Sequence, residues 1–518
     1  MAIKRYGASK DNTITNAYRS SLLDTQRGTG SNMGMADVVE IFSIYGEASG
    51  SDGLSEELSR AIIQFPIDSI SSDRTANRIP ASGSVSFYLK MFNAKHVYTL
   101  PRNFNLVVQA ISSSWEEGTG LDMEEYKDVT YNNSGSNWIQ ARMSSSGGTD
   151  NGQWATPGGD YLLANTYHQY NVAFPEGQED LEVDISGLVE DWISGTFTNN
   201  GMGVYLTASQ ETYFSSSLGA NTGSQSSIIQ NTSGSTETYY TKKFFARSSE
   251  YFFKRPVIEA RWDSRTKDDR GSFYYSSSLA PGPDNLNTLY LYNYVRGQLK
   301  DIPIVSTSKL LVSLYSGSTA PTASKLVLYD GNTNITGGWV STGLYTASMA
   351  LTATATLPLT LLFDVWHSGS TEYFTSSINP LFYNGFNNAP TEEYVFDVSN
   401  LKPQYTRKET ARLRLFIRDK DWSPNIYTVA TADVINTTLP SASYKVFRLV
   451  DDMEVVSYGT GSDRSTYMSY DVSGNYFDLD ISMLQADYGY GIKFSYYNNS
   501  INDWLEQPEI FKFRVEEK

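Results

Sequence analysis

The residues able to do chemistry in this chain are few: His96, His168 and His367, the adjacent carboxylates Glu116–Glu117 and Glu190–Asp191, an acidic group at Asp122, Glu124, Glu125 and Asp128, and the aromatics Trp115, Trp138 and Trp154. None of the histidines sits in an HExxH or comparable metal spacing, so each is expected to make a local hydrogen bond in a strand or loop. A serine nucleophile needs a strained Gly-x-Ser-x-Gly turn, and neither that pattern nor a phosphate-cradling Walker loop occurs. Glycoside cleavage needs two carboxyl groups about 5–10 Å apart, whereas neighbours in sequence diverge on a strand or helix. The Asp122–Asp128 carboxylates could ligate calcium through oxygen, but a solvated acidic loop is the simpler expectation. No catalytic, cofactor-binding or metal-binding residue is assigned, and the chain is not expected to be an enzyme. Trp115, Trp138 and Trp154 are the candidate glycan or interface aromatics, with packing in a core or subunit interface favoured over stacking on sugar rings.

The elements that must position these residues are β-strands. Aromatics make up 14% of the 518 residues, with 37 Tyr and 24 Phe, and Ser, Thr, Gly and Asn crowd the gaps between apolar runs, a combination that favours strands and tight turns. Val38–Tyr45, Arg60–Ile67, Ser84–Phe92 and Asn105–Ile111 read as strands, with Pro66 ending the second or placing it at an edge. Leu181, Val183 and Ile185 alternate with Glu182 and Asp184, then Leu188, Val189, Trp192 and Ile193 fall at helical spacing before Gly195. That predicts a strand, the one short helix of the chain with Glu190 and Asp191 near its N-terminal end, a left-handed glycine cap, and a returning strand at Gly201–Leu206. Lys243–Arg247 and Pro256–Trp262 close this part.

The charged run Asp263–Arg270 is expected to be a solvated boundary. The expected organisation is a sandwich with an N-terminal segment over 1–265, a linker or connecting strands over 266–299, an immunoglobulin-like β domain over 300–385 and a C-terminal β domain over 386–518. Within these, Lys309–Tyr315, Ser324–Tyr329, Gly343–Ala350, Leu361–Trp366 and Ala411–Arg418 are the strand candidates. The fold class is therefore all-β and multidomain. The short pattern Asp184-Ile-Ser-Gly-Leu188, Asp397-Val-Ser-Asn-Leu401 and Asp480-Ile-Ser-Met-Leu484 reads as turn chemistry. Residues 219–238, rich in Ser, Thr, Gly and Asn, read as a loop.

Forty basic against 57 acidic residues give a net charge of −17, and no basic stripe appears. Nucleic acid is not an expected partner. With no cysteines, disulfides and thiolate metal sites are excluded. Met1-Ala-Ile-Lys-Arg-Tyr6 lacks the apolar stretch of a signal peptide, and no apolar run is long enough to span a bilayer. Assembly in a cytoplasm, without membrane insertion, is the expectation.

Several motifs over residues 10–263 occur in a family order. They are Asn32-Met-Gly34, Ala61-Ile-Ile-Gln-Phe65, Ser84-Val-Ser-Phe-Tyr-Leu89, Trp115-Glu-Glu-Gly118, Trp138-Ile-Gln-Ala141, the strand–helix–strand element with Asn200-Gly201, Arg247-Ser-Ser-Glu250 and Arg255-Pro-Val-Ile-Glu259. Together they resemble the DNRLRE-type β-sandwich, a domain akin to a carbohydrate-binding module. That resemblance implies a jelly-roll-type sandwich. The long Trp-containing insert and the Ser-rich loop depart from the family pattern, so no sugar site is carried over. Lys10–Ala17, Arg27–Gly34, Gly343–Ser348 and Lys420–Tyr427 are similar to segments of virion structural proteins of marine tailed phages, especially contractile-tailed cyanophages. This second resemblance implies a neck, tail or capsid-exterior component, located in the virion and assembled in the host cytoplasm. Its partners would be other virion proteins and itself as a homo-oligomer. The alternative is an adhesin that binds a glycan or receptor on the host surface; a polysaccharide depolymerase is a third reading.

Overall fold

The computed structural model describes residues 2–17, 28–31, 33–45, 56–95, 101–121, 135–142, 152–163, 168–214, 229, 231–235, 239–276, 281–303, 309–352, 359–381, 393–422 and 436–517. The described chain is all-β apart from two α-helices and short 3-10 turns, and its sheets pack as β-sandwiches. It divides into two compact units, Ala2–Trp262 and Asp263–Lys518. No helix of the described residues is long and apolar enough to cross a membrane.

In the first unit the elements are β1 (Ile3–Gly7), β2 (Lys10–Thr15), β3 (Val38–Tyr45), β4 (Glu56–Gln64), α1 (Ile67–Thr75), β5 (Ser86–Met91), β6 (Phe104–Ala110), β7 (Gln169–Phe174), β8 (Leu181–Asp184), α2 (Ser186–Ser194), β9 (Met202–Leu206), β10 (Tyr239–Phe245) and β11 (Val257–Arg261). One sheet runs β1-β11-β5-β8; the other runs β10-β3-β4-β9-β6-β7, with β2 added on β4. Strand alternation turns Phe87, Leu89, Met91, Ile258 and Ala260 of the smaller sheet onto Ile41, Ala61, Ile63, Leu106, Val108 and Val204 of the larger one. Each large apolar side chain fully buried this way contributes about 1.5–3 kcal/mol. β4 is buried on both faces, because Leu58 and Ile62 belong to a second cluster on the far side of the larger sheet.

The far face of the smaller sheet is held by charge. Glu259 receives Arg5 Nε at 2.6 Å and Arg261 Nε at 2.7 Å, with Lys90 Nζ at 3.9 Å. Burial alone would raise the Glu259 carboxyl; the Arg5, Lys90 and Arg261 charges outweigh it and hold the group down at about 2. A depressed folded-state value means stability that is present above the ordinary glutamate range and is lost as pH falls through it. Between about pH 4.5 and 2 the first unit therefore loses about 3 kcal/mol from this group. Urea unfolding at stepped pH checks this: Glu259→Gln flattens the acid limb, and parallel limbs for the two proteins would refute the assignment.

α2 forms where the sequence predicts it, with Gly195 capping in the left-handed region at φ 76°. The helix begins at Ser186, so Glu190 and Asp191 lie past its first turn, not at its N-terminal end as expected. The expectation of one helix is also corrected. Pro66 ends the strand as expected but then caps α1, which buries only Ile67, Ile70 and Asp73. Side-chain ties compensate for that thin apolar face: Tyr6 Oη donates to Asp73 at 2.8 Å, Lys4 pairs with the same carboxylate at 2.6 Å, and Arg74 grips Glu190 of α2 through two bonds of 2.7 and 2.6 Å.

The second unit holds two sandwiches in sequence. In the first, strands Asn287–Tyr292, Leu344–Met349 and Gly338–Ser341 face a sheet ordered Ile335–Thr336, Leu311–Ser316, Leu362–Ser368 and Thr371–Ile378. This three-on-four arrangement is that of an immunoglobulin-type sandwich. The predicted strand at 324–329 is reduced to a single antiparallel bridge, Lys325 to Tyr315, with Leu326 N bonding Leu314 O at 2.9 Å; beyond it Asp330–Gly331 turns the chain back and Leu328 N bonds Asn332 O. In the second, Tyr394–Val398, Thr410–Asp419, Gly474–Asp480 and Ser469–Asp471 face a six-stranded sheet centred on Gly489–Asn498. Aromatics join its sheets, with Tyr444 stacked on Phe477 at 4.0 Å and Phe396 5.9 Å from Phe494.

The run Asp263–Arg270 is not the solvated segment its composition suggests. Asp268 is buried, and Arg270 donates to Asp268 at 3.0 Å and to the buried Asp364 at 2.8 Å. Phe273, Tyr275, Leu289 and Leu291 of the 266–299 stretch lie in the apolar core that includes Val312 and Trp366.

Candidate functional site

Trp115, Trp138 and Trp154 come together, but not at the surface. With Ile14, Leu58, Ile62, Ile111 and Ala141 they form the second apolar cluster of the first unit, on the far face of the larger sheet. Trp138 is fully buried, and Trp115 and Trp154 are 3% and 5% exposed. Trp115 Nε1 donates to Asn200 O at 2.8 Å and Trp154 Nε1 to Asn137 O at 2.9 Å. Sugar stacking needs an open ring face, and these rings have none; the packing alternative is the one the structure shows. The described part of the insert that carries them covers the sheet.

A buried ion pair completes this cluster. Arg60 lies on β4 between Leu58 and Ile62 and donates through Nε and Nη2 to Glu211 at 2.9 and 2.7 Å, and through Nη1 to Gly158 O at 3.1 Å. Its guanidinium lies 4.7 Å from the Tyr205 ring, 5.6 Å from Tyr161 and 5.7 Å from Trp138. Sequence reasoning missed this pair, since its partners are 151 residues apart; Arg60 inside an apolar run was the available signal.

The carboxylates considered for catalysis are engaged elsewhere. Glu117 accepts from Arg247 at 3.1 and 2.7 Å and from Asp11 N at 2.8 Å. Asp11 is buried, and that burial pushes its carboxyl up to about 7 despite a hydrogen bond from Arg247 N. The Trp115–Gly118 corner thus meets the Arg247 segment. It also meets Gly34, where a Cβ would sit 2.1 Å from Gly118 O. Glu190 is held by Arg74, and Asp191 lies 3.0 Å from His168. Glu190 and Asp191 diverge onto separate partners, as expected of neighbours.

His367 lies 3.0 Å from Ser313 Oγ and 3.1 Å from Gly369 O. Ser313 is fully buried, which denies that pair a substrate. Burial, with Lys325 beside it, holds the imidazole below its ordinary value. Lys242 is likewise buried, donating to Asn93 Oδ1, Gly177 O and Glu179 O, and burial pulls its ammonium down to about 8. Asp184 and Asp480, in the recurring Asp-Ile-Ser pattern, each accept the backbone N–H two residues on, at 2.9 and 3.0 Å. His96 and the Asp122–Asp128 carboxylates lie outside the described residues, as does most of 219–238. Among the described residues no group of three or more His, Asp or Glu is placed to hold a metal ion.

Two surface features remain. A cleft of about 470 Å³ in the first unit is bounded by Gln64, Pro66, Asp68, Trp192, Phe197 and Asn199. Trp192 packs edge-to-face on Phe197 at 6.5 Å, and its Nε1 is buried without a hydrogen-bond partner. Gln64 Nε2 is spent on Asn199 O, and Asn199 Nδ2 on Phe65 O. The exposed Asp68 on its rim favours a neutral or cationic ligand over an anion.

The other feature is an exposed apolar group in the 263–518 unit. The hairpin Tyr294–Val295/Gln298–Leu299 leaves Tyr294, Val295 and Leu299 in solvent, and beside it Trp339 is 55% exposed and Val340 43%. Asp301 ties them together: Oδ1 accepts Trp339 Nε1 at 3.0 Å and Gly343 N at 2.7 Å. Gly343, at φ 71°, has room for no Cβ against the Lys300 backbone. Trp339 is thus exposed, with its indole N–H bonded to Asp301. Gly337-Gly338-Trp339-Val340 carried that signal in the sequence.

No protein-family model and no curated protein matches the chain. Solved structures similar to parts of it include a chimeric titin Z1Z2-Z1Z2 tandem (12% identity, 45% of this chain and 91% of that one, TM-score 0.15). The N-terminal Ig1-2 module of Drosophila receptor protein tyrosine phosphatase DLAR is another (8% identity, 47% and 95%, TM-score 0.16). Native E. coli alpha-2-macroglobulin is a third (7% identity, 98% and 28%, TM-score 0.15). At such TM-scores none of them bears on what this chain does.

Proposed function

We propose that this chain is a structural component of a tailed-phage virion, at the neck, tail or capsid exterior, and that it works through protein–protein contacts without catalysis. The observation that carries the contact role is the exposed apolar group around Trp339. Exposed apolar clusters of this kind mark protein contacts, and an indole already bonded to Asp301 has less freedom to lose on binding. The similarity of Lys10–Ala17, Arg27–Gly34, Gly343–Ser348 and Lys420–Tyr427 to virion protein segments supports the phage assignment, and the DNRLRE-like order of motifs supports the jelly-roll reading of the first unit. The salt-bridged sandwiches suit a load-bearing part: Arg60–Glu211, Arg270–Asp364 and the Glu259 cluster use charge as internal cross-links. Cryo-EM of the purified particle tests the proposal. Density for the chain at the neck, tail or capsid exterior is expected, and a particle map complete without it would overturn the assignment.

The cleft beside Trp192 favours a second reading, an adhesin that holds a neutral saccharide. Glycan-array binding that Asp68→Ala abolishes would establish it.

A further inference from the structure

We propose that the Lys242 amine condenses with the Asn93 side-chain amide, releasing ammonia and leaving an intramolecular amide cross-link inside the first unit. This is a single self-modification, not turnover, and it stands independently of the virion reading.

The fold brings these two side chains together across 149 residues. Lys242 lies on β10, the edge strand of the larger sheet, and Asn93 lies two residues past β5 of the smaller one. There the chain leaves the smaller sheet and pairs with β10: Ala94 N bonds Lys243 O and Phe245 N bonds Phe92 O, each at 3.0 Å. Asp180 accepts Asn93 N at 2.7 Å and pins that backbone. Lys242 is 1% exposed, and its Nζ donates to Asn93 Oδ1 at 2.8 Å. The amide carbon, one C=O bond of about 1.2 Å from that oxygen, is therefore within about 4 Å of the nitrogen.

An amine attacks an amide only when it is neutral and aimed. The Phe174 and Phe244 rings lie 4.8 and 5.0 Å from Nζ, and both side chains are fully buried. Burial in that dry setting pulls the ammonium down to about 8 despite the Glu179 and Asp180 charges, which leaves about a tenth of it neutral at pH 7. Aim comes from the backbone. Gly177 O and Glu179 O accept from Nζ at 3.1 and 2.7 Å, so loss of the third proton leaves the lone pair facing Asn93.

Glu179 is placed to carry the proton. Its Oε1 accepts Glu176 N at 2.6 Å, while Oε2 is buried with no hydrogen-bond partner among the described residues. Burial would raise this carboxyl; the backbone N–H groups of Glu176, Glu179 and Gly177 and the Lys242 charge outweigh it and keep the group ionised, as a base must be. The Nζ–Cγ bond forms and the Cγ–Nδ2 bond breaks. Glu179 takes one proton from the ammonium and returns it to Nδ2 as ammonia leaves. It then takes the second proton from Nζ, which departs with the ammonia as ammonium. Atoms and charge balance, and nothing is oxidised or reduced. In a chain without cysteine, the product does what a disulfide would: it closes a long loop and restricts the unfolded state.

Intact-mass spectrometry of the full chain, with peptide mapping after denaturation, tests this. The expected mass is one ammonia below that of the sequence, and mapping should yield a branched peptide that joins Asn93 to Lys242. Asn93→Ala and Lys242→Met should each restore the mass of their own sequence. Glu179→Gln keeps both reacting groups; it should fold, as circular dichroism reports, and cross-link about 100-fold more slowly or worse. A wild-type mass equal to that of its sequence, with Asn93 and Lys242 recovered in separate linear peptides, would overturn the proposal. So would an ammonia loss that maps to any other position. A Glu179→Gln chain that cross-links as fast as wild type would overturn the role given to that carboxylate.

Discussion

Trp138→Ala lowers the unfolding free energy of the first unit by about 3–5 kcal/mol, the usual cost of removing a large aromatic from a closed core. The side chain is fully buried, and Trp115, Trp154 and Ile62 share its cluster. Gly158 approaches so closely that a Cβ there would lie 2.9 Å from the Trp138 ring, so the cluster has little slack on that side. Chemical denaturation of wild type and variant measures the loss. A tryptophan serving as an exposed sugar platform would change stability by no more than about 0.5 kcal/mol when truncated. A change of that size would mean that the insert does not cover the sheet as described.

Glu211→Ala is expected to cost about as much, roughly 3–5 kcal/mol, for a different reason. It strands the Arg60 guanidinium in a site where its side chain is 9% exposed, and a buried charge without its partner is strongly destabilising. The three rings around Arg60 offset only part of that loss, since cation–π contacts contribute about 2 kcal/mol when desolvated. Replacing both partners, as in Arg60→Met with Glu211→Leu, removes the stranded charge and should recover most of the stability. The double-mutant cycle separates the cases: a single variant within about 1 kcal/mol of wild type would show that water reaches Arg60.

What the sequence made legible was local. β3 coincides with the apolar run at 38–45, and α2 with its glycine cap lies where the spacing of Leu188, Val189 and Trp192 put it. α1 was hidden because it has only two apolar residues, Ile67 and Ile70, and its anchors Tyr6, Lys4 and Glu190 lie in other elements. The run at 263–270 looked solvated because charge runs usually are, and because the acid that buries Arg270 lies 94 residues on. The loop tryptophans show the same limit. Turn-rich surroundings do not reveal that Asn12 Nδ2 will bond Ser136 O, or that Trp138 N will bond Thr29 O, and these contacts seat the insert on the sheet. Trp339 drew no reading from the sequence, and its hydrogen bond to Asp301 depends on where the hairpin places that acid.

The most direct test of the structural role is quantitative mass spectrometry of purified virions. The chain should be present in many copies per particle, in fixed ratio to the other structural proteins and retained through washing at high salt. Its absence from purified particles, or a trace level that washing removes, would contradict the role.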